Sequence, residues 1–154
     1  MIVGNNHSSA IDTLVERQTR MVRLVHLPRS DSDSLDAALV ARMQDLPPAL
    51  LLRSITWDQG TEMARHLTTA AKLGTPIYFC DSHSPWQRGT NENTNGLLPD
   101  YFPKGVSLIG HSPAHLMAVE GELNNRPCMV LQDRCPADLF EALLTSKSPS
   151  MLRR

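Results

Sequence analysis

Three carboxylates stand where the local sequence gives them something to do. Asp58 closes the apolar run "LLLRSITWD", Asp81 closes "PIYFCD", and Glu92 is the acid inside "SHSPWQRGTNENTNG". Two carboxylates about 4 Å apart repel by about 4 kcal/mol at an effective dielectric near 20. A divalent cation removes that penalty. Mg²⁺ takes oxygen ligands, keeps several waters and is content with one or two protein carboxylates. Two such ions, usually held with the help of a third carboxylate, activate an attacking oxygen and stabilise a leaving one in phosphoryl transfer. Each acid also has a plainer use. Asp58 precedes Gln59-Gly60 and suits the cap of a following helix. Glu92 suits the positive end of a helix capped by Thr90 or Asn91. The amides of Asn91, Asn93 and Asn95 can hold a carboxylate in place or contact phosphate oxygens without cancelling charge.

The elements that must position these groups follow from pattern. Ser9 to Leu27 holds two runs rich in β-branched residues around the polar stretch Glu16 to Arg20, which predicts a β-hairpin with one partly basic face. Asp33 or Ser34 is placed to cap a helix over about Leu35 to Gln44, with Leu35, Ala38, Leu39 and Met43 on one side. Pro47 and Pro48 end it. Leu50 to Asp58 reads as a buried strand, "TEMARHLTTAAKLG" as a helix stopped by Gly74, and Pro76 to Asp81 as a second short strand. Ser82 to Gly89 is expected to be loop. A helix starts near Thr90, and Pro99 shortens or kinks it. Helices over Pro113 to Asn124 and Ala137 to Thr145 close the chain, with prolines in or just before their first turns. Strands alternating with helices predict an α/β layered domain whose site lies at the strand ends carrying Asp58 and Asp81.

Other side chains have two uses each. Trp57 is expected in the core, while Trp86 packs beneath its loop or stacks on a base. Arg88 and Lys104 flank the Glu92 helix and are either phosphate contacts or solvated surface. Arg126, in "ELNNRP", reaches nucleic acid or staples the last helices, and Asn124 and Asn125 are expected to cap that turn. His66 and His83 are either supports of the metal site or hydrogen-bonded bystanders. His111 and His115 straddle Ser112-Pro113 and read as caps, not as a metal pair. Asp12 is the remaining acid near the hairpin start.

Composition sets the outer bounds. The 154 residues suffice for one domain with a core. With 15 basic and 16 acidic residues, bulk charge gives no support for nucleic-acid binding, although a local basic face fits inside a neutral total. Cys80, Cys128 and Cys135 form no CxxC pair, so reduced thiols are expected and a structural zinc site is not. No apolar run approaches the ~20 residues of a membrane span. The first ten residues do not read as a signal peptide. A cytoplasmic protein is expected, with residues 1–145 forming the core and 146–154 a flexible basic tail.

"ITWDQGTEMARHL", "YFCDSHSPWQRGTNENTNGLL", "YFPKG" and "ELNNRP" carry a resemblance. The chain resembles the catalytic region of bacterial insertion-sequence transposases, family thirty of those elements, within the retroviral-integrase-like superfamily. The resemblance runs from about Ser9 to about Glu141, with "TLVERQTR" matching the first hairpin more weakly. It implies a ribonuclease-H-like fold, a mixed sheet flanked by helices, and an Asp-Asp-Glu metal triad. Carried over by position, Asp58 in "TWDQG" matches the second Asp and Glu92 in "TNENTNG" the Glu, 34 positions apart. The implied cofactor is Mg²⁺ or Mn²⁺, and the implied partners are DNA at element ends and target, further copies of the chain, or intact transposase subunits. The implied reaction is DNA strand cleavage and strand transfer.

The triad's first Asp has no match here. In the family it lies on the first strand, and Met1-Ile2 align just after it, so most of that strand is expected to be missing. Asp12 matches a position inside the second strand instead. The expectation is therefore a fragment truncated at its N-terminus, inactive alone and weak in metal binding. The alternative is a non-catalytic remnant that binds DNA or pairs with intact transposase as a modulator.

Overall fold

The computed structural model describes residues 2–4, 9–29, 31–44, 46, 54–57, 64–81, 89–103 and 105–146. Three antiparallel strands form one sheet in the order β1 (Ile2–Val3), β2 (Ala10–Val15), β3 (Val22–Leu27). Two parallel strands, β4 (Ile55–Trp57) and β5 (Ile77–Phe79), form a second. Helix α1 (Ser32–Met43) follows β3, and α2 (His66–Leu73) makes the crossover that a parallel β4–β5 pair requires. Then come α3 (Gly89–Leu97), a 3₁₀ turn at Leu98–Asp100, α4 (Pro113–Asn124), a second 3₁₀ turn at Met129–Leu131, and α5 (Pro136–Ser146).

The hairpin forms as its pattern requires. Val15 pairs with Val22 and Ala10 with Leu27. The Glu16 carboxylate accepts the backbone N–H of Gln18 (3.1 Å) and of Thr19 (2.7 Å) and the Thr19 hydroxyl (2.7 Å), fixing the turn in which Arg20 takes φ 63°. A partly basic face was expected on β3, but both its faces are packed. Val22, Leu24, Val25 and Leu27 are all buried, and the Arg23 guanidinium donates to the Arg42 carbonyl at 2.6 Å. The reason is that helices cover both sides. Ala10 and Leu14 of β2 face α1 and β4, in a core with Leu35, Leu39, Trp57 and Leu73. Ile11 and Val15 face the other way, against Leu98, Phe102, Leu116, Val119 and Leu123.

Asp31, rather than Asp33 or Ser34, caps α1, accepting from the Ser34 N–H at 2.8 Å. That bond, the Ser34 hydroxyl and Arg29 hold its carboxyl below the usual range. The inward face of α1 also includes an acid that apolar spacing did not foretell. Asp36 is buried, accepts from the Thr69 hydroxyl at 2.7 Å and pairs with Lys72, tying α1 to α2. Gly74 ends α2 at φ 63°, and α3 stops before Pro99, both as expected. Pro47, Pro48, Leu50 to Arg53 and residues 147–154 lie outside the described residues.

Strand β3 is the sheet edge, and side chains complete it. Asn124 accepts from the Val22 N–H at 2.8 Å and donates to the Val22 carbonyl at 2.9 Å, reproducing the bonds of a neighbouring strand. Glu120 accepts from the Leu24 N–H at 2.6 Å and pairs with Arg42, whose Nε donates to the Leu24 carbonyl at 3.2 Å. Asn124 was expected to cap a turn; instead it is buried as a strand mimic, while Asn125 donates to the Gly121 carbonyl at 2.8 Å. Asn124→Leu leaves two buried backbone groups unpaired. Urea denaturation should show a loss of about 2–4 kcal/mol, with new concentration-dependent association through the bared edge.

The Asp36 contact carries a pH signature. Its bond to Lys72, aided by Thr69, lowers its pKa despite the opposing effect of burial. The folded state therefore holds the charged form more tightly than the unfolded chain does. That contribution is present above the unfolded value near 3.8 and is lost as pH falls through the lower folded value. In denaturation measured from pH 5 down to pH 2, Asp36→Asn should be less stable than wild type at pH 5, and the gap should narrow toward pH 2.

Candidate functional site

Glu92 stands in the first turn of α3, solvent-exposed, with no hydrogen bond or ion pair among the described residues. An exposed hard-oxygen donor with no cation paired to it among the described residues fits a divalent cation by donor chemistry. The helix under it is anchored inward by the buried Thr94 and at two further places. Leu98, just past its end, is fully buried beside Ile11 and Phe102. Asn95, one turn after Glu92 and half-buried, accepts the Thr13 hydroxyl at 2.8 Å from β2. Residues three apart on a helix are neighbours on its surface, so the anchored amide and the free carboxylate share one side of α3.

The β4–β5 pair leads into one described acid, Asp81. Trp57 is buried in the α1 core as expected, and its carbonyl accepts the Cys80 N–H at 2.8 Å, extending the pair by one rung. Asp81 follows, exposed, at the same end of the sheet as the chain leaving Trp57. Asp58, Trp86, Arg88 and Lys104 lie outside the described residues, as do His83 and the side chain of Asn91. Among the described residues, no group of three or more His, Cys, Asp or Glu side chains is arranged to hold a metal ion.

The remaining candidates separate by environment. Asn93 is exposed beside Glu92. Arg126 is exposed just past α4, and its charge acts on Tyr101. The Tyr101 hydroxyl is held above its usual range by the hydrogen bond to Glu122 and by burial, against the pull of Arg126. His66 packs edge-on against Phe79, with centroids 4.9 Å apart. Asp12 is buried within β2, opposite Val25, and accepts the Thr13 N–H at 2.9 Å.

His111 and His115 are not caps: Ser112 is, accepting from the His115 N–H at 3.1 Å. The two imidazoles stack at 5.2 Å, and both meet the Phe102 ring edge-on. Desolvation, His115 and His26 together lower the His111 pKa. Cys80, Cys128 and Cys135 are free thiols, as their spacing predicts. The feature that sequence reading missed is Thr13. An alternating strand offers no sign that one hydroxyl will meet a helix 82 positions away.

Similarity to known proteins now bears on this arrangement. No family model matches the chain. The transposase InsI for insertion sequence element IS30A of Escherichia coli is 44% identical over 140 residues, 91% of this chain and 36% of that protein. The transposase for insertion sequence element IS1086 of Cupriavidus metallidurans is 44% identical over 146 residues, 95% of this chain and 43% of that protein. Over this region the chain belongs to the IS30 family of insertion-sequence transposases. It spans less than half the length of these two IS30-family relatives.

The fold is shared with a chain of the simian T-cell lymphotropic virus intasome, solved in complex with the PP2A regulatory subunit B56 gamma. The TM-score is 0.60 at 17% identity, over 94% of this chain and 54% of that one. Both are mixed α/β folds of the kind the alternating strands and helices predicted. No helix among the described residues is long and apolar enough to cross a membrane.

An exposed carboxylate with no hydrogen bond or ion pair among the described residues contributes little to the fold itself. Glu92→Gln should therefore leave stability within about 0.5 kcal/mol of wild type in urea denaturation. A larger loss would mean that the carboxylate is structural.

Proposed function

We propose that this chain is the catalytic-core segment of a DNA transposase, of ribonuclease-H-like fold, with Asp58 and Glu92 as the carboxylates that hold Mg²⁺ or Mn²⁺. The observation that carries this is 44% identity, over nine-tenths of the chain, to proteins named as transposases. The likeness to an intasome chain and the exposure of Glu92, which has no ion pair among the described residues, support it. The substrate is DNA, at the ends of the element and at the target. Further copies of the chain, or longer transposase subunits, are the protein partners. We assign residues 1–145 to the core and 146–154 to a basic tail.

Bound metal supplies a Lewis acid for the attacking and leaving oxygens of phosphoryl transfer. The protein's own part is to hold two acids near each other, since neither alone retains a hard cation against water. The amides of Asn91 and Asn93 beside Glu92 suit phosphate oxygens, because an amide donates hydrogen bonds without adding charge to the metal site. Arg88, Lys104 and Arg126 supply positive charge for the DNA backbone, and their share of the affinity weakens as salt rises. Trp86 and His66 are assigned supporting roles beneath the loop and against β5.

The test reads metal and DNA separately. Manganese titrated into the chain and followed by electron paramagnetic resonance should show weak, saturable binding that Asp58→Asn and Glu92→Gln each abolish. A transposase carrying this segment should nick terminal-repeat DNA only with Mg²⁺ or Mn²⁺, and either substitution should remove nicking while leaving DNA binding intact. Nicking that survives both substitutions overturns the site.

A further inference from the structure

We infer that Thr13 is a positioning residue for Glu92, acting through Asn95. The inference rests on the assignment of Glu92 given above and adds a residue from a different element, the second strand of the sheet.

Helix α3 reads "GTNENTNGL", with two glycines, three asparagines and two threonines among nine residues. These are poor helix formers, and nine residues are too few for a stable isolated helix. Its place in the protein is therefore set by tertiary contacts. Leu98 pins the C-terminal end by burial alone, which fixes depth but leaves rotation about the helix axis soft. The Thr13–Asn95 bond is directional. It joins a buried hydroxyl on a paired strand to an amide one turn from Glu92 and so sets the rotation of α3.

A twist of α3 swings the Glu92 carboxylate sideways by several times the displacement of the backbone. Metal ligation tolerates only a few tenths of an ångström. The side chain of Thr13 points to the face of β2 that meets α3, while Asp12 takes the other face. The bond is thus independent of the acid beside it. Nothing in the fold requires a hydroxyl at Thr13. Valine has nearly the same shape and the strand propensity to match, but it cannot donate to Asn95.

The experiment is a Mn²⁺ titration of the full chain by electron paramagnetic resonance, with melting temperature read in parallel. The variants are Thr13→Val, Thr13→Ser, Asn95→Ala, the double variant Thr13→Val/Asn95→Ala, and Glu92→Gln. Thr13→Val and Asn95→Ala should each weaken Mn²⁺ binding about 10-fold, the range for residues that orient a metal ligand. Thr13→Ser should restore it, and the double variant should be no weaker than either single one.

If wild type and Glu92→Gln bind Mn²⁺ alike, the assignment of Glu92 fails and the role of Thr13 with it. If Glu92→Gln loses binding but Thr13→Val keeps wild-type affinity, the assignment of Glu92 stands and the role of Thr13 is overturned. Additive losses in the double variant overturn it too, because they show two separate effects. So does a loss in Thr13→Val that follows its melting temperature and is not recovered in Thr13→Ser.

Discussion

The protein depends first on how the open edge of β3 is closed. An edge strand presents a row of unpaired N–H and C=O groups, and burying them without partners is costly. Here a helix crosses that edge, and a helix has no backbone groups to offer. The bonds come from side chains: the Asn124 amide copies a peptide unit against Val22, and Glu120 with Arg42 does the same, as an ion pair, for Leu24. The solution is directional, because each side chain reaches only one rung of the strand. Helix α4 is therefore locked in register against β3 and cannot slide along it.

That register propagates. With α4 fixed, Leu116, Val119 and Leu123 are held over Ile11, Leu24, Leu98 and Phe102, and Glu122 meets Tyr101 at the start of the loop back to α4. Leu98 opens the turn that follows α3, so the polar clamp on one side of the sheet fixes the depth of the Glu92 helix on the same face. On the opposite face, Asp36 with Thr69 and Lys72 does the equivalent for α1 and α2. Both faces use a carboxylate drawn at least partly out of water, Glu120 half-buried and Asp36 buried, whose cost is offset by at least two donors. A buried charge is tolerable only on that condition.

The contrast between what could and could not be read from sequence follows from this. Hydrophobic alternation placed β2 and β3, proline and glycine placed the ends of α2, α3 and α4, and the order of strands and helices gave the α/β class. These signals are local, and local chemistry fixes them. The errors share one cause. Asn124 looks like a turn cap, and apolar spacing along α1 does not single out Asp36, because each is judged by its neighbours in the chain, whereas its partners are 102 and 33 positions away. Arg23 suggested a basic face for the same reason, yet its guanidinium is spent on the Arg42 carbonyl. At the site, Glu92 could be singled out because an acid among amides is unusual. The division of labour among those amides could not, since it depends on which side of α3 meets β2.

That division has an energetic logic. A helix built from good formers would hold its own shape and could carry a carboxylate at any rotation the packing allowed. The α3 sequence gives up that autonomy: its glycines and asparagines make the helix weak by itself, so the fold alone decides where it sits. The cost is a helix that forms only when β2 and the α4 face are in place. The return is that the backbone under Glu92 has one place whenever the domain is folded. The metal-ligand role proposed for Glu92 would draw on this, since binding energy otherwise goes into ordering the ligand rather than holding the ion. Amides suit such a segment better than charged residues would. They can bond inward to a hydroxyl, as Asn95 does, or face solvent, as Asn93 does, without adding charge beside Glu92.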